Sequence, residues 1–323
     1  MASSPTSSDT SGISRITKKR VVLLLGMLLL LYIVVPRIGS FSDSFLVVRQ
    51  ARPGLVLVAI ALLLVTYVIA AGIYWSLALK PLRYGQTLLV QMSSAFTNRL
   101  LPGGLGSLTL YVQYLRRSRH SLSQAIAVAG TNNLLGIVGH LLILAVVLFV
   151  ATDAYPAKLQ LPFDLPGATT VWLILGAIVV VIAANLLVFS KLRQNAYRLT
   201  KGVFDSALRY RKQPRKLLSA LALSCLLTVT YVAVFYFCAR AVGVHIEIEH
   251  VFLVFTIGMI VGTATPTPGG LIGAEAGLTG GLIAYGVRAD TALATALLYR
   301  FLTYWLPLLP GFITFIRIRK LYS

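Results

Sequence analysis

The 323-residue chain is 57% hydrophobic and only 12% charged, with 29 Lys plus Arg against nine Asp plus Glu and a formal net charge of +20. Its mean hydropathy is +0.83. A soluble domain is about a quarter charged, so this composition excludes a soluble globular protein and points to one built into a membrane. The basic excess then reads as positive-inside bias and attraction to anionic lipid rather than as a nucleic-acid surface.

Residues 1–14, MASSPTSSDTSGIS, are Ser/Thr-rich without a hydrophobic pattern, which predicts disorder. With Arg15, Lys18, Lys19 and Arg20 they make a basic tail, 1–20, ahead of an apolar run at 21–35. Ile38-Gly39-Ser40 is a poor cleavage site, so the run is expected to stay as an anchor rather than leave as a signal peptide. Further runs at 55–79, 123–151, 169–190, 217–242 and 291–316 are each long enough to cross a hydrocarbon core of about 30 Å.

Loop charge assigns the sides. Residues 191–216 hold nine Lys/Arg against Asp205 alone, and this segment is expected in the cytoplasm. Its Leu192, Ala196, Leu199, Val203 and Ala207 form one stripe, as in an amphipathic helix lying on the membrane. Arg116, Arg117, Arg119, Arg317, Arg319 and Lys320 fall on the same side. The acidic or charge-poor segments 152–168 and 243–250 belong outside, whereas the loop 36–54, with Arg37, Arg49 and Arg52, fits an outside place less well. Six crossings then carry the chain from N-terminus inside to C-terminus inside.

Two apolar stretches remain, 84–115 and 251–286. Each carries Pro-Gly-Gly near its middle: PGGLG at 102–106 and PGGLIG at 268–273. Gly costs a helix about 1 kcal/mol per residue, and Pro-Gly-Gly is loop punctuation. Each stretch is expected to be a helical hairpin turning inside the membrane, where irregular backbone survives only when shielded by protein or lining a watery cavity. Two thin but complete spans per stretch is the alternative.

The order span, span, hairpin, span occurs twice, in 21–151 and 169–323, separated by the external linker 152–168. Three crossings in the first half start the second from the opposite side, an inverted-topology repeat. SQAIAVAGTNN at 123–133 aligns with DTALATALLYR at 290–300, which sets Asn133 on Arg300. The expected fold class is an all-α polytopic membrane protein with six spanning helices and two re-entrant-type hairpins.

Arg99, Glu275 and Arg300 are the ionisable residues expected within the bilayer, where each is costly. One reading pairs Glu275 with Arg300 and pins the second hairpin to the last helix. The other makes Arg99 and Arg300 phosphate ligands, since guanidinium suits bidentate phosphate contact. Pro102, Gly103, Gly104, Pro268, Gly269 and Gly270 at the two tips would then let a headgroup approach bare backbone. Gly269, Gly273, Gly277 and Gly281 recur every four residues, favouring close helix packing over substrate contact. Thr263, Thr265 and Thr267 flank the tip as partners for its freed backbone. Asn132, Asn133 and His140 make a polar stripe that either faces a central cavity or bonds between helices.

No G-x-x-x-x-G-K-[ST], H-E-x-x-H, C-x-x-C or G-x-S-x-G occurs, and no metal, cofactor or catalytic site is expected. Cys225 and Cys238, thirteen residues apart on one run, sit about 20 Å from each other in a helix and cannot pair.

The stretches NRLLPGGLGSLTLYVQYLRR (98–117) and TPTPGGLIGAEAGLTGGLIAYGV…LLYRFLTYWLPLLPG (265–311) resemble the lysylphosphatidylglycerol synthase transmembrane-region family, including the flippase portion of the multiple peptide resistance factor. The resemblance implies a multi-pass protein of the prokaryotic inner (cytoplasmic) membrane that translocates aminoacylated or other lipids. The family's soluble synthase domain has no counterpart before Ser323, so synthase activity is not inherited with the resemblance. The leading expectation is a flippase or scramblase for a phosphate-bearing lipid. The alternative is an accessory subunit that positions a glycosyltransferase or a lipid-modifying enzyme.

Overall fold

The computed structural model describes residues 47–100, 105–150, 208, 210, 213–265 and 267–322. The basic tail, the runs at 21–35 and 169–190, the tip residues Pro102, Gly103 and Gly104, the linker 152–168 and most of 191–216 lie outside them.

The described residues are helical, with no strand among them. In chain order they form α1 (Pro53–Leu77), α2 (Tyr84–Leu100), α3 (Leu105–Arg117), α4 (Leu122–Val150), α5 (Pro214–Ala241) and α6 (Ile248–Ala264). A 3-10 turn at Pro268–Gly270, α7 (Gly273–Ala284), α8 (Ala289–Arg300), a π-turn at Phe301–Trp305 and α9 (Leu308–Tyr322) complete them. Four helical segments are long and apolar enough to cross a membrane: Pro53–Leu77, Leu122–Val147, Pro214–Ala241 and the continuous Ala289–Ile318. They answer to four of the six expected runs, and the other two fall outside the described residues.

α1 and α5 form the central antiparallel pair. Pro53 and Pro214 open them at first-turn positions, where proline's missing N–H is no loss. The Arg52 N–H donates to Ala241 O (2.9 Å) at one end. At the other, Tyr210 Oη and Lys216 Nζ donate to Leu77 O (2.6 Å) and Ala78 O (2.7 Å). Those two carbonyls end α1 without intrahelical donors, so two residues from the C-terminal end of the basic segment cap it. Between the ends, a Cβ on Gly72 would stand 3.4 Å from Leu223 Cδ1, so the helices touch closely where α1 carries no side chain.

α2 with α3, and α6 with α7, are two antiparallel helix pairs. In the first, Thr87 and Tyr114 share a hydrogen bond (2.9 Å) and Tyr111 Oη donates to Gln91 Oε1 nearer the tip. In the second, a Cβ on Gly277 would lie 2.9 Å from Gly258 Cα, and one on Gly281 3.0 Å from Val254 Cγ1. Gly273 would crowd Thr265 in the same way. Three of the four spaced glycines therefore serve helix contact, and Gly269 does not.

Two apolar clusters hold the helices together. One joins α1, α5, α6, α7 and α8 around Phe235, Val254, Leu278 and Leu282. The other joins α1, α2, α3 and α4 around Leu77, Val90, Leu115 and Val128.

Candidate functional site

The site begins with the turn between α6 and α7. Gly269 and Gly270 have φ of +63° and +65°, a region open to glycine and costly to other residues. Space makes the same demand. A Cβ on Gly269 would fall 2.3 Å from Tyr304 Cε2, and one on Gly270 2.5 Å from Gly262 O. Ile272 also adopts positive φ (+73°), an outlier for a β-branched residue that stores strain at the tip. Thr267 Oγ1 donates across the turn to Leu271 O (2.8 Å). Thr263 and Thr265 instead bond back to Met259 O and Val261 O within their own helix. Of the three threonines, Thr267 alone satisfies freed backbone at the tip.

Arg300, the last residue of α8, stitches this turn in place. Its Nε donates to Glu275 Oε1 and its second terminal nitrogen to Gly269 O, both at 2.8 Å. Both side chains are largely withdrawn from the surface, at 13% exposure for Arg300 and 16% for Glu275. Glu275 Oε2 is buried and without a hydrogen-bond partner. The expected Glu275–Arg300 pair exists, and it carries a main-chain carbonyl of the tip with it.

Beyond Arg300 the last spanning segment changes its pitch. Leu306 N donates to Phe301 O (2.9 Å), five residues back, in the π-turn. Pro307 has no N–H, so Thr303 O lacks its ordinary donor four residues on. Arg99 supplies the missing bond. Its guanidinium donates to Thr303 O and to Ala95 O of its own helix. Arg99 Nε remains buried and unpartnered. The Tyr304 ring centroid is 5.1 Å from Arg99 Cζ and 4.8 Å from Arg300 Cζ, so one aromatic ring faces both guanidinium groups.

These residues wall one cavity of about 390 Å³. Arg99, Arg300, Gly269, Asn132 and Asn133 all line it, drawn from α2, α8, the tip and α4. Glu275 reaches it through Arg300. His140 stands off the wall, stacked on Phe252 (5.4 Å) and sharing a hydrogen bond with Thr256 (3.2 Å). Of the two roles open to that polar stripe, His140 takes the interhelical one. Gly270 packs against α6 rather than lining the cavity.

Six tyrosines, 67, 74, 111, 231, 299 and 304, complete the wall, and sequence reasoning missed them. Tyr74 and Tyr111 stack at 3.5 Å, closing one side. Tyr67 shares the wall with Arg99. One signal was available: Tyr67 and Tyr74 are seven residues apart on one face of an otherwise apolar helix. A tyrosine there brings a hydroxyl that needs a partner.

The arrangement suits an anion. Two guanidinium groups and one carboxylate leave one positive charge at the cavity, beside amide and hydroxyl side chains. No group of three or more His, Cys, Asp or Glu poised for a metal occurs among the described residues.

No curated protein matches the chain. The family model for the lysylphosphatidylglycerol synthase TM region matches residues 12–311. With four membrane-length apolar segments in an all-helical molecule, the chain is a multi-pass membrane protein that belongs to the lysylphosphatidylglycerol synthase transmembrane-region family.

Proposed function

We propose that the protein moves a phosphate-bearing lipid between leaflets, as a flippase or scramblase rather than as an enzyme, with the headgroup held in the central cavity. One observation carries the reading: two guanidinium groups from opposite halves of the sequence, Arg99 and Arg300, meet across Tyr304 at a cavity that both halves wall. A phosphate there meets paired Arg donors and a tip whose glycines leave backbone bare. The acyl or prenyl chains stay in the bilayer.

The same order of elements supports an inverted repeat. α1, the pair α2–α3 and α4 correspond to α5, the pair α6–α7 and the α8–α9 segment. The paired arms run 17, 13, 17 and 12 residues. At 1.5 Å per residue these are about 18–26 Å long, short of a hydrocarbon core, and we read both pairs as re-entrant hairpins meeting near the midplane. With six crossings and both termini in the cytoplasm, rocking one repeat against the other exposes the cavity to each leaflet in turn. The inner membrane of a prokaryotic cell is the location this reading expects.

Reconstitution into vesicles tests it. Fluorescent phosphatidylglycerol, its lysyl ester and a polyprenyl phosphate are incorporated separately, and dithionite quenches label in the outer leaflet. Protein-dependent loss beyond the outer half identifies transport and ranks the headgroups. No such loss for any of the three, from folded protein, rejects the proposal.

A further inference from the structure

A second cavity lies away from the central one, at the base of the α2–α3 pair. It is an open cleft of about 710 Å³ lined by Lys80, Pro81, Leu82, Arg83, Gln86, Arg117, Ser118 and Arg119. Four of these residues are cationic and none is acidic. The cleft joins two loops, the one before α2 and the one after α3. They are tied together because the Lys80 N–H donates to His120 Nε2 (3.1 Å) and Lys80 Nζ donates to Arg119 O. Arg119 holds a left-handed backbone, φ +67°, a strained conformation for a side chain of its size. The cations thus belong to a fixed frame, not to a run of loose surface residues.

Trp75 and Tyr84 place this frame at a membrane boundary. Trp75 is exposed, donates from its indole nitrogen to Leu82 O (3.2 Å), and meets Tyr84 edge-on at 6.2 Å. Leu82 is itself part of the cleft wall. An exposed Trp whose indole N–H is bonded marks headgroup depth, and the half-buried Tyr84 beside it is anchored by its hydroxyl donating to Val68 O (2.8 Å). Along α1 from Trp75 runs an exposed apolar strip of Val68, Val65, Leu64 and Leu57.

We propose that this cleft binds the phosphodiester headgroup of an anionic membrane lipid, with its acyl chains lying on the α1 strip beside Trp75. The charge takes an anion, the aromatic pair sets its depth, and the apolar strip distinguishes a lipid from a free phosphate. A seated phosphate touches residues at the start of α2 and the end of α3, and so links the two arms at their base. A lipid here is bound rather than moved, whether or not lipid is transported through the central cavity.

The test is native mass spectrometry of the full chain in detergent, titrated with phosphatidylglycerol or phosphatidylcholine. Wild type is expected to retain phosphatidylglycerol in preference to phosphatidylcholine. Arg83→Gln/Arg119→Gln lowers its occupancy about tenfold or more, two surface cations being removed. Arg288→Gln, a remote exposed cation, leaves it in place, and Asn133→Trp, which removes any lipid held in the central cavity, leaves the component that depends on Arg83 and Arg119 unchanged. If the double variant melts early, Arg83→Glu alone repeats the comparison. Excess glycerol 3-phosphate leaves the lipid bound. Equal retention by wild type and the cleft variants overturns the proposal, as does displacement of the lipid by glycerol 3-phosphate.

Discussion

The guanidinium of Arg99 donates to the main-chain oxygen of Thr303, 204 residues further along the chain. Pro307 leaves that oxygen without its helical donor, and the first helix pair supplies one. Replacing Arg99 with Ala strands the carbonyl, and an unsatisfied buried acceptor costs about 1–3 kcal/mol. Arg99→Ala is expected to lower the thermal midpoint in detergent. In a Pro307→Ala background, where the N–H at 307 is restored, the same substitution costs less. Equal penalties in both backgrounds would dismiss the proline as the reason for the contact.

Glycines at the second tip differ in how their neighbours can respond. Gly270→Ala drives a methyl into the backbone oxygen of Gly262, which has nowhere to go, while Gly269→Ala meets the edge of the Tyr304 ring. Both also carry the left-handed penalty of about 1–2 kcal/mol. Gly270→Ala should destabilise more. Gly54→Ala, with nothing within 4 Å of the added methyl, should be neutral or slightly stabilising. Thermal melts of the three variants give the ranking.

How much of the molecule was legible in its sequence depends on the kind of signal. Long apolar runs read cleanly: 55–79, 123–151 and 217–242 became helices at 53–77, 122–150 and 214–241. The run 291–316 hid a change of pitch, because hydropathy is blind to hydrogen bonding and only Pro307 marked the break. Arg99, Glu275 and Arg300 stood out because a charge in an apolar segment is costly. The tyrosines did not, since a tyrosine in a membrane helix serves equally as core, as belt or as cavity wall. The Thr303 carbonyl, a backbone atom, has no letter of its own.

Glu275 and Arg300 form an ion pair largely shielded from solvent. Removing one partner of such a pair leaves a buried charge, at a cost of about 3–5 kcal/mol. Glu275→Gln is therefore expected to lower stability sharply, whereas Glu275→Gln/Arg300→Gln costs less than the sum of the single changes. A double-mutant cycle from unfolding midpoints measures the coupling. Additive penalties would show that the two side chains act independently.

His120, buried in the loop between α3 and α4, accepts the Lys80 N–H at Nε2 and so donates from Nδ1 toward Leu115 O and Ser118 O. Burial, aided by the charges of Lys80 and Lys216, holds its pKa below the usual histidine value. On acidification the unfolded chain protonates first. The stabilisation is complete above about pH 6.5 and is lost as pH falls from there toward the folded value. His120→Gln keeps an acceptor for Lys80 and does not titrate. Wild type should lose thermal stability between pH 7 and 5 more steeply than His120→Gln, and parallel curves would assign the acid sensitivity elsewhere.

If a lipid headgroup occupies the cavity shared by the two halves, filling that space stops transport. Asn132 and Asn133 line the cavity from α4, and the one hydrogen bond between their side chains spans 3.4 Å. Asn132→Trp/Asn133→Trp fills the space while leaving Arg99, Glu275 and Arg300 in their bonds. The decisive measurement compares dithionite-monitored lipid movement by wild type and this variant, each shown by its melt to be folded. Rapid movement is expected for wild type and near-complete loss for the filled variant. Undiminished movement through the filled variant would overturn the headgroup assignment and place the lipid path outside the cavity.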